Sequence, residues 1–437
     1  MTSVSQLCQA LQTILTTVAD TAARATRFVK RQSPLTGSKF VQTLVIGWLD
    51  NPDATYEQLA QTATALGALI TAQGLDNRFT AEAAACLKHT LEQAVQQVVQ
   101  ADPVVIPIVQ RFTGLFLQDS TTITLPAAVA PLWSGCNDTP DQPEAALKVQ
   151  VQFNLSDGQL THLDLQAGRA QDKTAPMQTA PLPAGALRLA DLGYLSIPVL
   201  ADYDQQGVFW LTRYQANLQL FDPNGTALDL LTRLPTTEQT PLDCAVRVSA
   251  HRLACRLVAL RVPPQVAEER RRKLHAEAKA DGRTPSARRL ALCEWLIFLT
   301  NVPAERLSVA EIRVLARTRW QIELLFKLWK SHGHVDESRS AKPYRVLCEV
   351  YAKLLAMLIQ HWIVITSSWQ YPNRSWHKVA QTIRQHALRL GCALPYEAAL
   401  ADVLTTLQRC VAKGGRLNTR KTAPNTCQLL LACDPEN

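Results

Sequence analysis

Three carboxylates are spaced so that they could act together. Asp119 follows the apolar run FTGLFLQ, Asp191 closes the run LRLA, and Glu323 lies inside RWQIELLFKLWKS, where apolar residues recur at helical spacing. Carboxylates supplied by strand ends and a facing helix are the donors that two divalent ions need to cut and rejoin a phosphodiester, one ion acting on the nucleophile and one on the leaving oxygen. Arg319 lies four residues before Glu323 and Lys330 seven after it. At about 100° per residue that keeps the three within roughly 60° on one helix face. Ile322, Leu325, Phe326 and Trp329 occupy the other face at i, i+3, i+4 and i+7, so the helix can pack and still present an acid between two cations. Each acid also has a plainer reading. Asp119 can cap a turn with Ser120 and Thr121, Asp191 can form an Asx-turn before Gly193, and Glu323 can pair with Lys327 on a solvated face. Their joint placement is what favours chemistry.

Other residues of chemical type are less constrained. Arg213, at the end of VFWLTR, is a candidate phosphate contact, whereas Trp210 in the same run reads as core. Asp172 suits either a supporting carboxylate or a helix N-cap. His332 and His334 resemble a metal-ligand pair, but the sequence offers no further ligand at a suitable spacing.

The elements that must position these residues can be read from texture. Residues 1–105 are rich in Ala, Gln, Leu and Thr at helical spacing, which predicts a helical domain of the kind that binds DNA, or a plain bundle. From Pro103 the chain turns apolar and β-branched. The segments FTGLFLQ, LKVQVQFNL and LTHLDLQ, the last two joined by SDG, predict a three-stranded meander. LRLA predicts a fourth strand, SIPVLADYDQQG a helix and VFWLTRYQ a fifth strand. That order is the one expected of a ribonuclease H-like α/β core with a mixed sheet over 106–213. The stretch 214–303 then reads as a basic, mainly β insertion domain, 304–340 as the remainder of the core, and 341–437 as a helical C-terminal region ending in the basic tail AKGGRLNTRKTAP. Ser308 with Glu311 forms a capping box, from which one unbroken helix is expected to reach about Ser331.

Composition narrows the partners. The net charge is +8, and Arg247 to Arg289 alone carries twelve Lys or Arg against four Asp or Glu, so an anionic partner such as DNA is favoured. The same run also suits a merely solvated helix and loop. The eleven Cys show no C-x-x-C pair, which argues against a zinc ribbon or a disulfide scaffold and for reduced thiols in the cytoplasm. The apolar stretch Leu354 to Thr366 is interrupted by Gln360 and His361 and is shorter than a membrane span, so it reads as a core helix.

The segment LTNVPAERLSVAEIRVLARTRWQIELLFKLWKS closely resembles the signature of DDE-class bacterial insertion-sequence transposases marked by a Tyr-Arg-Glu-Lys motif, the insertion sequence four family. In that motif Arg319, Glu323 and Lys330 take the places of Arg, Glu and Lys. ADLGY is similar to the family's second-Asp motif and QDSTTITL to its first. SPLTGSKFVQTLVIG and GRAQD also resemble family patterns, so the likeness covers most of the chain. Two positions depart from it: Ala316 stands where the motif has Tyr, and Leu192 where an Arg is usual. The resemblance implies catalytic Asp119, Asp191 and Glu323 holding two Mg²⁺ ions (Mn²⁺ as an alternative). It also implies DNA contacts by Arg319 and Lys330, a homodimeric active complex, and cut-and-paste transposition through a hairpin supported by the insertion. A nuclease of the same fold without strand transfer, and a catalytically inactive DNA-binding descendant, are the competing expectations.

Overall fold

The computed structural model describes residues 3–31, 33–99, 101–139, 141–235, 240–369, 371, 374–417 and 426–433; most of the basic tail lies outside them. The chain forms two compact units, each assembled from separate stretches. Among the described residues ten strands occur: β1 (Leu115–Leu125), β2 (Ala145–Asn154), β3 (Leu160–Ala167), β4 (Leu187–Ala190), β5 (Phe209–Arg213), β6 (Leu220–Phe221), β7 (Ala227–Leu228), β8 (Leu242–Val248), β9 (Leu253–Arg261) and β10 (Trp295–Thr300). Their order is β3-β2-β1-β4-β5-β10-β9-β8-β6-β7.

The first unit comprises 1–105, 119–171 and 320–428. As the composition implies, its N-terminal part is helical, with Ser3–Gln12, Ala19–Ala25, Gly37–Asp50, Tyr56–Ala65, Ala72–Asp76 and Ala81–Val95. The 26-residue helix Pro343–Ser368 is long and apolar enough to cross a membrane, yet its apolar window is wholly buried in protein. It also buries Glu349, Lys353, Gln360 and His361, as the core of a globular unit can when those groups are partnered. β2 and β3 pair antiparallel through the turn at Gly158. Gly158 has φ +78°, and a Cβ there would lie 2.7 Å from Ile365 Cγ2, so both the turn and the packing require glycine. Its carbonyl contacts His361 Nε2 at 2.7 Å. Burial holds His361 down to about 4, so the ring stays neutral near pH 7.

The second unit comprises 106–118, 172–319 and 429–437. Here the start of β1 runs parallel to β4, and β4 parallel to β5. The helix Ile197–Gln205 makes the crossover between β4 and β5, as the strand–helix–strand pattern requires. The stretch 214–303, expected as a basic, mainly β insertion domain, continues the sheet of this unit. Its β10 pairs antiparallel with β5, β9 with β10 and β8 with β9. Trp210 and Val208 share a single hydrophobic cluster with Leu257, Ala259, Leu299 and Val248. β5 would otherwise expose an unpaired edge, and the later strands cover it. The stretch also contains the 17-residue helix Pro264–Ala280, which buries only Ala267.

Two local expectations are corrected. β1 does not end at Asp119. It continues to Leu125 because the β-branched run TTITL favours extended backbone. Nor is the helix after Ser308 unbroken: the capping box forms as expected, but Val309–Thr318 stops and Trp320–Gly333 begins beyond Arg319. The buried Thr318 hydroxyl donates to the Leu315 carbonyl at 2.6 Å, and such back-bonding perturbs the helical ladder at this point. Arg319 therefore occupies a junction and not the face of one continuous helix. On the second helix Ile322, Leu325, Phe326 and Trp329 are all buried, as their spacing predicts.

Candidate active site

In the second unit Asp191 stands immediately after β4, at its carboxyl end, and Arg213 closes the parallel neighbour β5. Carboxyl ends of adjacent parallel strands are where open α/β sheets gather functional groups. Asp191 has backbone φ −66° and ψ 162° and precedes the short turn Leu192–Tyr194, but its side chain does not cap that turn. The carboxylate instead pairs with Arg319, at 3.6 Å. Together these residues border a cavity of about 330 Å³ that Arg313, Arg317 and Ala316 also line, with Leu189, Leu211 and Phe298 among its apolar walls. Four guanidiniums around one carboxylate leave a net positive rim suited to phosphate oxygens. Partial burial lowers the Arg213 pKa, and the nearby positive charges of Arg270 and Arg319 lower it further while Asp191 opposes the shift. A bound anion would relieve that crowding.

A buried network fixes the strands next to this cavity. Arg188, in β4 and 3% exposed, donates through Nε to Gln118 Oε1 at 2.6 Å and through Nη2 to Gln178 Oε1. Gln178 Nε2 donates to the Tyr194 carbonyl at 2.9 Å, and the Arg188 guanidinium lies 5.4 Å from the Tyr203 ring centroid. Burial among these neutral partners brings Arg188 down to about 10, so it remains charged at neutral pH. The network thus joins the residue before Asp119 to the turn after Asp191. Arg188 was missed in the sequence; an arginine inside the otherwise apolar LRLA was the available signal. Arg313 and Arg317 were missed as well, although their i, i+4 spacing on the capped helix puts them on one face.

In the first unit Asp119 is half-buried within β1, and its Oδ1 accepts the Ser120 N–H at 2.8 Å. Glu323 is half-buried in the first turn of Trp320–Gly333, where the helix dipole favours a carboxylate. Lys330 Nζ donates to the Thr122 carbonyl at 3.0 Å, tying the Glu323 helix to the strand that bears Asp119. Lys330 is thus engaged with protein, which its helical spacing alone did not reveal. Each of the three acids offers only oxygen donors, the kind that suit a hard divalent cation such as Mg²⁺ or Mn²⁺.

The remaining candidates separate. Trp210 is core, at 1% exposure. Asp172 begins a short 3₁₀ turn, and a Cβ added at Gly193 would lie 3.0 Å from its Oδ2, so Asp172 packs close to the turn that follows Asp191. His332 and His334 do not act as a pair, since the His332 ring contacts His377 whereas His334 faces Asp53. Much of the basic run is already neutralised: Arg256 makes a two-pronged pair with Asp243, Arg261 pairs with Glu294, and Arg271 bridges Glu268 and Glu294.

Residues 110–359 match the family model described as the transposase DDE domain. Similar curated proteins include the transposase for insertion sequence element IS231F of Bacillus thuringiensis subsp. israelensis, 24% identical over 436 residues, 91% of this chain and 89% of the relative. The transposase for IS231E of B. thuringiensis subsp. finitimus is 26% identical over 77% of this chain and 75% of its own length. That for IS1151 of Clostridium perfringens is 25% identical over 79% of this chain and 77% of its own.

Proposed function

The chain belongs to the transposase DDE domain family, and from that premise we propose that it is the transposase of an IS231-type insertion sequence, binding the element's ends, cutting the DNA and joining the freed 3′ hydroxyl to a target. The observation that carries this reading is the placement of Asp191 at the carboxyl end of β4, on a cavity edged by Arg213, Arg313, Arg317 and Arg319. The succession β3-β2-β1-β4-β5, with β4 and β5 parallel across a helix, supports a ribonuclease H-like core.

In this reading Asp119, Asp191 and Glu323 hold two Mg²⁺ ions. Ions held there would supply the Lewis acidity that activates a water or hydroxyl and eases departure of the leaving oxygen. The chain's own groups do the rest. Arg213 and Arg319, with Arg313 and Arg317, grip phosphates by forked hydrogen bonds that fix the strand without reading its bases. Arg188 and Gln118 keep the β1–β4 register from slipping. Lys330 holds the Glu323 helix to β1 and can transfer its ammonium to a phosphate. The active complex is a homodimer, and the cut passes through a hairpin before release.

The test is a labelled element end incubated with the protein and Mg²⁺. Cleavage followed by joining to a second duplex is the expected outcome. Cleavage without joining would assign a nuclease, and binding without cleavage an inactive descendant. Ala316 lines the cavity where the family motif has tyrosine. Ala316→Tyr adds a hydroxyl donor beside the arginines and should tighten end binding roughly 3- to 10-fold, the worth of about 1 kcal/mol. Unchanged affinity in a mobility-shift titration would show that this wall does not meet the DNA.

A further inference from the structure

We propose that Asp53, His334 and Glu337 form a binding site for a first-row divalent metal, best suited to zinc and separate from the carboxylates assigned to catalysis. His334 Nδ1 lies 3.1 Å from Asp53 Oδ1 and 3.6 Å from Glu337 Oε2, and the three donor atoms all fall within 4.8 Å of one another. A tetrahedral zinc ion with bonds of 2.0–2.2 Å sets its donors about 3.3–3.6 Å apart, so the two measured separations need shift by only a few tenths of an ångström.

His334 faces both carboxylates at ion-pair distance. One imidazole N–H can satisfy the Asp53 carboxylate at 3.1 Å, and Glu337 lies 3.6 Å from the same nitrogen, an ion-pair distance longer than a hydrogen bond. A cation placed between the three atoms satisfies all of them at once. Arg339 reaches Asp53 at 3.8 Å, where it suits an outer partner that orients a ligand carboxylate.

The site is also preorganised. The Lys353 ammonium, 2% exposed, donates to the His334 and Glu337 carbonyls at 3.0 Å each and pairs with Glu349 at 2.8 Å. Ser338 in turn donates to Glu349 at 3.0 Å. Two of the three donors therefore sit on one fastened turn, with His334 in the left-handed region at φ 44°. The third comes from the loop after Gly37–Asp50, where the Asp53 N–H is held by Asn51 Oδ1 at 3.1 Å. Asp53 and His334 are 281 residues apart, so no spacing rule could have joined them. The mixed nitrogen and oxygen donors favour zinc over Mg²⁺, which binds imidazole poorly. All three residues reach solvent, leaving a fourth position for water. A metal here would clamp the N-terminal helices to the end of the helix that bears Glu323.

The experiment uses the full chain carrying Glu323→Gln, which weakens metal binding at the catalytic carboxylates, titrated with zinc chloride against a chromogenic chelator. The expected result is about one zinc ion per chain at micromolar affinity, with affinity falling at least about 10-fold when Asp53→Asn or His334→Gln is added. X-ray absorption should show a nitrogen and oxygen shell with one imidazole. Circular dichroism of both variants should match the parent, so that lost binding is not lost folding. No zinc uptake by the parent, zinc retained in both variants, or sulfur in the shell would each overturn the proposal. None of these outcomes depends on transposition, so the site can fail while the transposase reading stands.

Discussion

Glu323→Gln should abolish cleavage of a labelled element end, by at least about 10³-fold, while end binding stays within a few-fold of the parent. The substitution keeps the shape of the side chain and removes the charge that a divalent cation requires. A metal contributes several kcal/mol to stabilising the developing charge, and each 1.36 kcal/mol is tenfold in rate. Binding should survive because the groups proposed to grip phosphates are arginines on other elements, Arg213, Arg313 and Arg317. Single-turnover cleavage and a mobility-shift titration on the same preparation separate the two effects. A variant that cuts at the parental rate would remove Glu323 from the metal site.

The second large effect is on stability. Lys353→Met should cost about 3–5 kcal/mol, because it leaves Glu349 as an uncompensated buried charge and deprives the His334 and Glu337 carbonyls of their donor. Against the 5–15 kcal/mol typical of a folded domain, that is a large share, and the melting temperature should fall sharply. Glu349→Leu alone should be damaging for the converse reason. The double variant should lose less than the sum of the singles, since a buried ion pair replaced by apolar groups is often nearly neutral. Strict additivity in differential scanning fluorimetry would show that the two side chains do not stabilise one another.

Local rules made much of this molecule readable. The alternation of LKVQVQFNL and LTHLDLQ, with SDG between them, gave a hairpin that forms as β2 and β3, and LRLA, SIPVLADYDQ and FWLTR gave the strand, helix and strand that bring Asp191 and Arg213 to adjacent strand ends. The apolar stripe around Trp329 was equally plain. What escaped depends on contacts distant in sequence or on single side chains. The pairing of β10 with β5 is decided by which edge is open, not by composition. The interruption at Arg319 lies beside a hydroxyl, on Thr318, that bonds a backbone carbonyl, a local choice no spacing reveals. Arg188 stood out in LRLA only as a charge in an apolar run, and its partners Gln118 and Gln178 are brought to it by the fold. The histidines at 332 and 334 suggested a ligand pair, whereas their neighbours come from remote stretches and part them.

β1 has a consequence for how copies of this gene can diverge. Its eleven residues alternate only after Asp119, and Thr122 and Thr124 alone present exposed side chains; every other position is packed or half-packed. A replicating element accumulates changes wherever the fold tolerates them. Along this strand a change of side-chain character costs least at the two exposed threonines, whereas a polar group at the packed apolar positions would be buried without a partner.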